Sequence, residues 1–219
     1  MTTFVLVHGA WHGPWAWDRL VPLLHAAGAR TLTPELGASD GLHDHAEAVV
    51  AALDTLRDDD VVLVGHSYAG LVVREAADTR PDTVGRVVLV DGWAGPDGSS
   101  MFGLAPETTV QALLGAAGGG SAIPAPPPAA YGVTDPEDVA WLAPRLVPQS
   151  LRSFTEATRL SGAVDRIPGT AVWCRPKTYA FEEFGEAVGY RTIPLDAPHD
   201  VMLTHPEPLA RLLLQEAEA

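Results

Sequence analysis

The sequence predicts an α/β protein built on a mostly parallel sheet, and three observations predict it. Short β-branched runs recur at Phe4–Val7, Val61–Val64 and Val87–Val90, each of strand length and apolar throughout. Such runs are the pattern of strands buried on both faces. Stretches with helical spacing separate them, as crossover helices between parallel strands do. One strand passes through a tight turn of small residues, Gly65 to Gly70, directly into a helical run at Leu71–Ala77.

Each element follows in order. Phe4–Val7 is the first strand. Trp17–Ala27 places Leu20, Val21, Leu23 and Leu24 at helical spacing and stops at Gly28, a residue suited to a helix end. Ala29–Thr33 is a second strand closed by Pro34, and Asp44–Arg57 a second helix. The strand at Val61–Val64 and helix at Leu71–Ala77 come next, then a strand over Arg86–Asp91. From Gly92 to about Gly132 the chain is rich in Gly, Pro, Ala and Ser, including Gly118-Gly119-Gly120 and Pro126-Pro127-Pro128, which predicts irregular structure. Short helices at Asp135–Leu146 and Ser150–Leu160 complete this insertion. Strands at Gly169–Cys174 and Tyr190–Leu195 and a helix at Glu207–Glu216 close the chain. The core is therefore expected over 1–91 and 165–219. The segment 92–164 is expected to be a small, partly helical lid, with Met101, Phe102, Leu104, Trp141, Leu142 and Phe154 roofing an apolar pocket.

Composition narrows the function. The chain has 219 residues, 47% hydrophobic and 19% charged, which fits one globular domain with a small insertion. Lys and Arg number 14 against 28 Asp and Glu, a net charge of −14, so a polyanion would meet long-range repulsion and nucleic acid is not an expected partner. The lone Cys174 allows no intramolecular disulfide, and Met1-Thr2-Thr3-Phe4 lacks a secretion-signal pattern, which points to the cytoplasm. No apolar run approaches the roughly 18 residues of a membrane span. A small hydrophobic substrate is the expected partner, with no metal or organic cofactor, in a monomer or homodimer.

The strongest motif is Gly65-His66-Ser67-Tyr68-Ala69-Gly70, set between strand and helix. This is the context of a nucleophile elbow, a strained turn that exposes a serine. Ala69 stands where glycine is usual. Ser67 is the candidate nucleophile and needs a base to take its proton. His199 follows the last strand through Asp196-Ala197-Pro198 and has the Ser-then-His chain order of that fold. An oxyanion requires fixed amide donors; those of Tyr68, after the nucleophile, and Ala10, in His8-Gly9-Ala10-Trp11-His12-Gly13, are the candidates. Gly9, Trp11, His12 and Trp141 are candidate substrate contacts, although aromatic residues at such positions commonly serve packing. Of His66 and Tyr68, one is expected to support the sheet and the other to face the pocket.

Phe4–Trp17, together with Gly65–Gly70, Val90-Asp91 and Pro198–Leu203, resembles the α/β-hydrolases, and among them the small plant methylesterase and hydroxynitrile lyase family with its bacterial relatives. The resemblance implies the α/β-hydrolase fold and acyl or lyase chemistry on Ser67. Two departures bear on mechanism. Relatives usually carry a triad aspartate after the strand assigned to Ala171–Cys174, but this chain reads Arg175-Pro176-Lys177-Thr178-Tyr179 there. Asp91, after the preceding sheet strand, is the first candidate acid; Glu182 and Glu183, at a predicted helix start, are the second, and a Ser–His dyad is the remaining option. The cyanohydrin-cleaving branch has lysine and threonine where this chain has Asp200 and Gly9, and an acidic residue cannot stabilise departing cyanide.

The expected function is that of a serine hydrolase cleaving an ester, thioester or lactone of a small hydrophobic, aromatic or polyketide-like substrate. The alternatives are a non-hydrolytic tailoring protein, whether cyclase, template or ligand binder, and a hydroxynitrile-lyase-like enzyme. With Lys177 the sole lysine and Ala, Gly, Pro and Arg abundant, a GC-rich bacterial source and a role in secondary metabolism are expected.

Overall fold

The computed structural model describes residues 1–56 and 60–218. The chain runs through β1 (Thr2–Val7), a 3-10 turn (Pro14–Trp17), α1 (Val21–Ala26), β2 (Arg30–Leu32), α2 (Leu42–Leu53), β3 (Asp60–His66), α3 (Ala69–Thr79) and β4 (Val84–Val90). A long excursion follows, with α4 (Met101–Leu104), α5 (Glu107–Ala117), β5 (Ala122–Ile123), α6 (Pro136–Leu142), β6 (Gln149–Ser150) and α7 (Leu151–Thr155). The chain then rejoins the sheet in β7 (Gly169–Arg175) and ends with α8 (Phe181–Ala187), β8 (Arg191–Asp196), α9 (Val201–Thr204) and α10 (Pro206–Ala217).

The main sheet has six parallel strands in the order β2-β1-β3-β4-β7-β8. Strand periodicity divides its side chains between two cores. Phe4, Leu6, Val62, Val64, Val88 and Val90 face α1 and α10 through Leu20, Leu24, Leu209 and Leu213. Val5, Val7, Leu63, Val87 and Leu89 face α2, α3 and α8 through Leu42, Val49, Leu71, Val72 and Phe181. Burial of each such side chain stabilises by about 1.5–3 kcal/mol relative to exposure. Both faces being covered explains why these strands are apolar throughout.

The helices depart from the sequence expectation in several places. The first predicted helix is a 3-10 turn followed by a new start at Val21, with Pro22 in the first turn of α1, the position where a missing N–H costs least. The helix expected from Ser150 ends at Thr155. Within the segment expected to be irregular lies α5, an 11-residue helix. Its run Gln111-Ala112-Leu113-Leu114 is locally helix-favouring, Glu107 occupies the first turn, and Gly118 ends it at φ 57°. The surrounding Gly and Pro hid this local preference. The helix expected over Asp44–Arg57 runs from Leu42 to Leu53, with Asp54 as its C-cap; Arg57 itself lies outside the described residues. Among the described residues, no helix is long and apolar enough to cross a membrane.

Candidate active site

At the C-terminal ends of β1, β3 and β4 the chain turns sharply, and the three turns meet. Trp11, Ser67 and Asp91 are the non-glycine residues with positive φ among those described, at 65°, 53° and 44°. Such strain, about 1–3 kcal/mol each, persists where surrounding contacts enforce it and clusters at functional sites. At Ser67 those contacts are explicit. Its amide donates to Val90 O at 3.0 Å, and its carbonyl accepts from the Gly70 and Trp93 amides, each at 3.0 Å. A Cβ on Gly65 would lie 2.7 Å from Ala69 O, and one on Gly70 would overlap Trp93 O. Backbone approach, rather than flexibility, requires glycine at both.

Ser67 Oγ lies 3.0 Å from His199 Nε2. On the other side of the ring, His199 Nδ1 lies 2.8 Å from Asp91 Oδ2. Asp91 Oδ1 accepts the Cys174 amide at 2.7 Å. A carboxylate facing Nδ1 holds the proton there and leaves Nε2 to accept from the serine hydroxyl. The imidazole is further held between Phe181, stacked at 5.5 Å and 14°, and His66, whose ring centre is 4.8 Å away. The structure therefore brings Asp91 to His199. Glu182 instead pairs with Lys177 on the outside of α8, and neither it nor Glu183 makes a hydrogen bond or ion pair with His199 among the described residues.

The loop after β1 has nearly every polar group committed. His8 Nδ1–H donates to Gly9 O at 2.9 Å, while its Nε2 accepts the Leu36 amide at 3.1 Å. This arrangement requires a neutral ring, and burial lowers the His8 pKa to about 4. His12 Nδ1 lies 2.8 Å from Ala10 O. The Trp11 amide donates to Gln149 Oε1 at 3.2 Å, Trp11 O accepts from the Val147 amide at 3.0 Å, and Trp11 Nε1 donates to Ile123 O at 3.1 Å. The Ala10 amide has no partner among the described residues, nor has that of Tyr68. Two unpaired amides beside a serine form the kind of donor set that a developing oxyanion needs.

These groups border a cavity of about 100 Å³, whose walls include Ala10, Trp11, His12, Ser67 and His199. Met101, Leu113 and Tyr131 from the excursion cover it, and Thr178 and Tyr179 from the loop after β7 add hydroxyls at one side. Among the described residues, no group of three or more His, Cys, Asp and Glu side chains could hold a metal ion.

The Alpha/beta hydrolase family model matches residues 4–212. The chain belongs to the α/β-hydrolase family. This α/β-hydrolase is 30% identical to a carbendazim hydrolyzing esterase from Nocardioides sp. (strain SG-4G), over 97% of this chain and 98% of that one. It is 38% identical to methylesterase 2 of Arabidopsis thaliana over 40% of this chain and 38% of the relative. An extracellular α/β-hydrolase from a Paenibacillus species has the same fold, with a TM-score of 0.86 at 21% identity over 98% of each chain.

Two residues expected at the substrate stand elsewhere in this α/β-hydrolase. Trp141 is not among the cavity-lining residues; it packs edge-on against Trp15 at 5.5 Å and under the Arg145 guanidinium at 4.3 Å. It is partly buried there, packed against the core. Gly9 is also absent from the lining, because its Cα faces the elbow: a Cβ there would lie 3.0 Å from Ser67 Cβ. Of the expected roof, Met101 lines the cavity, while Leu142 and Phe154 are fully buried in the core beneath it. His66 borders the cavity and donates from Nε2 to His199 O at 3.1 Å, whereas Tyr68 is buried with its hydroxyl on His45 Nδ1 at 2.9 Å. Sequence reasoning missed Tyr131, Thr178 and Tyr179 as walls; an aromatic hydroxyl in the acid-free loop was the available signal for Tyr179.

Proposed function

We propose that this α/β-hydrolase cleaves small, uncharged, apolar carboxylic esters, with thioesters and lactones as close variants, through an acyl-enzyme on Ser67. Ester hydrolysis itself follows from its family and its full-length likeness to an esterase. The observation that carries the mechanism is the hydrogen-bonded series Ser67–His199–Asp91 opening on an apolar cavity beside the unpaired Ala10 and Tyr68 amides. His199 takes the serine proton as Ser67 attacks the acyl carbon. The two amides receive the oxyanion, and the Asp91 carboxylate stabilises the imidazolium. His199 then protonates the departing alcohol and activates a water that releases the acid.

Substrate size and polarity follow from the walls. Drug-sized ligands occupy roughly 300–1,000 Å³, so a cavity of about 100 Å³ represents a closed lid. Segment 92–164 acts as that lid: α5 contains no fully buried residue, and it ends in Gly118 and Gly119 at positive φ. Opening there admits the ester, and closure excludes water. The net charge of −14 favours a neutral substrate. An aromatic or polyketide-like ester from bacterial secondary metabolism suits the aromatic walls, and the lone buried Cys174 suits the cytoplasm. Lyase chemistry has less support, because Asp200 is directed to His12 and offers no cation to a leaving cyanide. A panel of p-nitrophenyl esters, thioesters and lactones with Ser67→Ala as control tests the reading. Turnover of short neutral esters that the control abolishes supports it; turnover unchanged in the control refutes it.

A further inference from the structure

We propose that Asp200 is a positioning residue for this hydrolysis: its carboxylate keeps His12 doubly protonated, and His12 in turn fixes the carbonyl of Ala10, a residue that lines the cavity with Ser67 and whose amide is unpaired among the described residues. The inference rests on the reading of Ser67 as an esterase nucleophile. Both ring nitrogens of His12 face oxygen acceptors, Nδ1 the Ala10 carbonyl at 2.8 Å and Nε2 the Asp200 carboxylate at 3.0 Å. A neutral imidazole carries one N–H and would set a lone pair against one of those oxygens; only the imidazolium satisfies both. The two side chains are 2% and 1% exposed, so little solvent screens the pair.

Among the described residues, the titratable neighbours of the pair include His66, His199 and Tyr131, and His66 and His199 act on Asp200 in the same direction as His12. His66, at the end of β3, has its ring centre 6.1 Å from that of His12, and Tyr131 and Trp15 lie at 5.1 and 5.3 Å. Burial, reinforced by His199, holds His66 well below its ordinary range, burial keeps His8 neutral, and burial raises the Tyr131 phenol. For His12 itself burial acts downward, but the charge and hydrogen bond of Asp200 override it and raise the pKa. Burial likewise acts upward on Asp200, and His12 overrides it to lower that pKa.

Geometry also explains why this pair reaches catalysis. Asp200 follows His199 in the chain, and its amide donates to Tyr131 O at 3.1 Å. The ion pair therefore ties the loop carrying the base to the loop carrying the Ala10 amide. His8 holds the Gly9 carbonyl and His12 the Ala10 carbonyl, which fixes the peptide planes on either side of Ala10. With Asp200→Leu, His12 loses its counter-charge and one anchor. With Asp200→Asn, the amide can donate to an unprotonated Nε2 while Nδ1–H stays on Ala10 O, so the hydrogen bonds survive without the charge.

Imidazole ¹⁵N NMR at neutral pH, combined with kcat–pH profiles on a neutral p-nitrophenyl ester, tests this. His12 should carry two N–H protons in the parent and one in Asp200→Asn. Asp200→Leu should lower kcat roughly tenfold or more with KM within about threefold, as a transition-state donor displaced from its place does. Asp200→Asn should recover part of that loss and lack the alkaline limb that His12 deprotonation gives the parent. A singly protonated His12 in an active parent, or parent-like kcat in Asp200→Leu, overturns the proposal. If Asp200→Leu does not fold, the NMR comparison of parent and Asp200→Asn decides. A parent that turns over no ester overturns the hydrolase reading instead.

Discussion

Replacing Asp91 with asparagine changes one atom and should nearly abolish turnover. Asp91 has two partners: His199 Nδ1 at 2.8 Å and the Cys174 amide at 2.7 Å. The Cys174 N–H can only donate, so the remaining carbonyl oxygen of the Asp91→Asn side chain stays on it, and the new NH2 group faces His199. Two donors cannot share that contact. The imidazole must then accept at Nδ1 and carry its proton on Nε2, 3.0 Å from Ser67 Oγ, where it can no longer remove the hydroxyl proton. In a serine protease the same tautomer error lowers kcat about 10⁴-fold, equivalent to about 5.4 kcal/mol of barrier. The side chain is 1% exposed, so water offers no easy substitute. The assay is kcat on p-nitrophenyl acetate, with circular dichroism and a melting curve to establish that the variant is folded. If Asp91→Asn stays within tenfold of the parent while Glu182→Gln or Glu183→Gln abolishes turnover, the reasoning is wrong.

Gly9→Ala should lower kcat roughly tenfold or more with little change in KM, because its Cβ would lie 3.0 Å from Ser67 Cβ and 2.9 Å from His66 Nδ1; parent-like kcat would contradict the packing argument. Leu113→Ala, on the roof of the cavity, should shift selectivity toward p-nitrophenyl hexanoate over the acetate by roughly tenfold, read as a ratio of kcat/KM values. Stability should fall on acidification. His8 has its folded pKa lowered from 6.5 to about 4, so between these values the unfolded state binds more protons. Its contribution is complete above pH 6.5 and is lost as pH drops toward 4, by about 3 kcal/mol for this group alone. Urea midpoints measured across that window check it, and a flat profile would contradict a buried neutral His8.

The strands were legible because parallel strands covered on both faces must be apolar throughout, and Leu63 or Val88 leaves no other reading. Ser67 and His199 were legible because an elbow demands a recognisable local sequence and the fold demands a chain order. Asp91 was legible through the resemblance, in which the acid can follow the preceding sheet strand; the absence of Asp and Glu from Arg175 to Ala180 alone left Glu182, Glu183 and a Ser–His dyad open. The walls were not. Tyr131 and Leu113 reach the cavity through contacts between segments far apart in sequence, and the Gly- and Pro-rich excursion carries no period from which to read a face. Trp141 misled because an aromatic on a short helix can serve either side, and here Trp15 and Arg145 claim it. Gly9 misled for a different reason: a glycine beside a pocket signals close approach, and the approaching group is the elbow rather than a substrate.

The central claim is that Ser67 is an activated nucleophile, and the most direct measurement is intact mass after treatment with a fluorophosphonate. One adduct per chain, mapped to Ser67 by peptide sequencing and absent from Ser67→Ala, is the predicted result. An unlabelled parent that is folded by circular dichroism, or an adduct that persists in Ser67→Ala, would contradict the account.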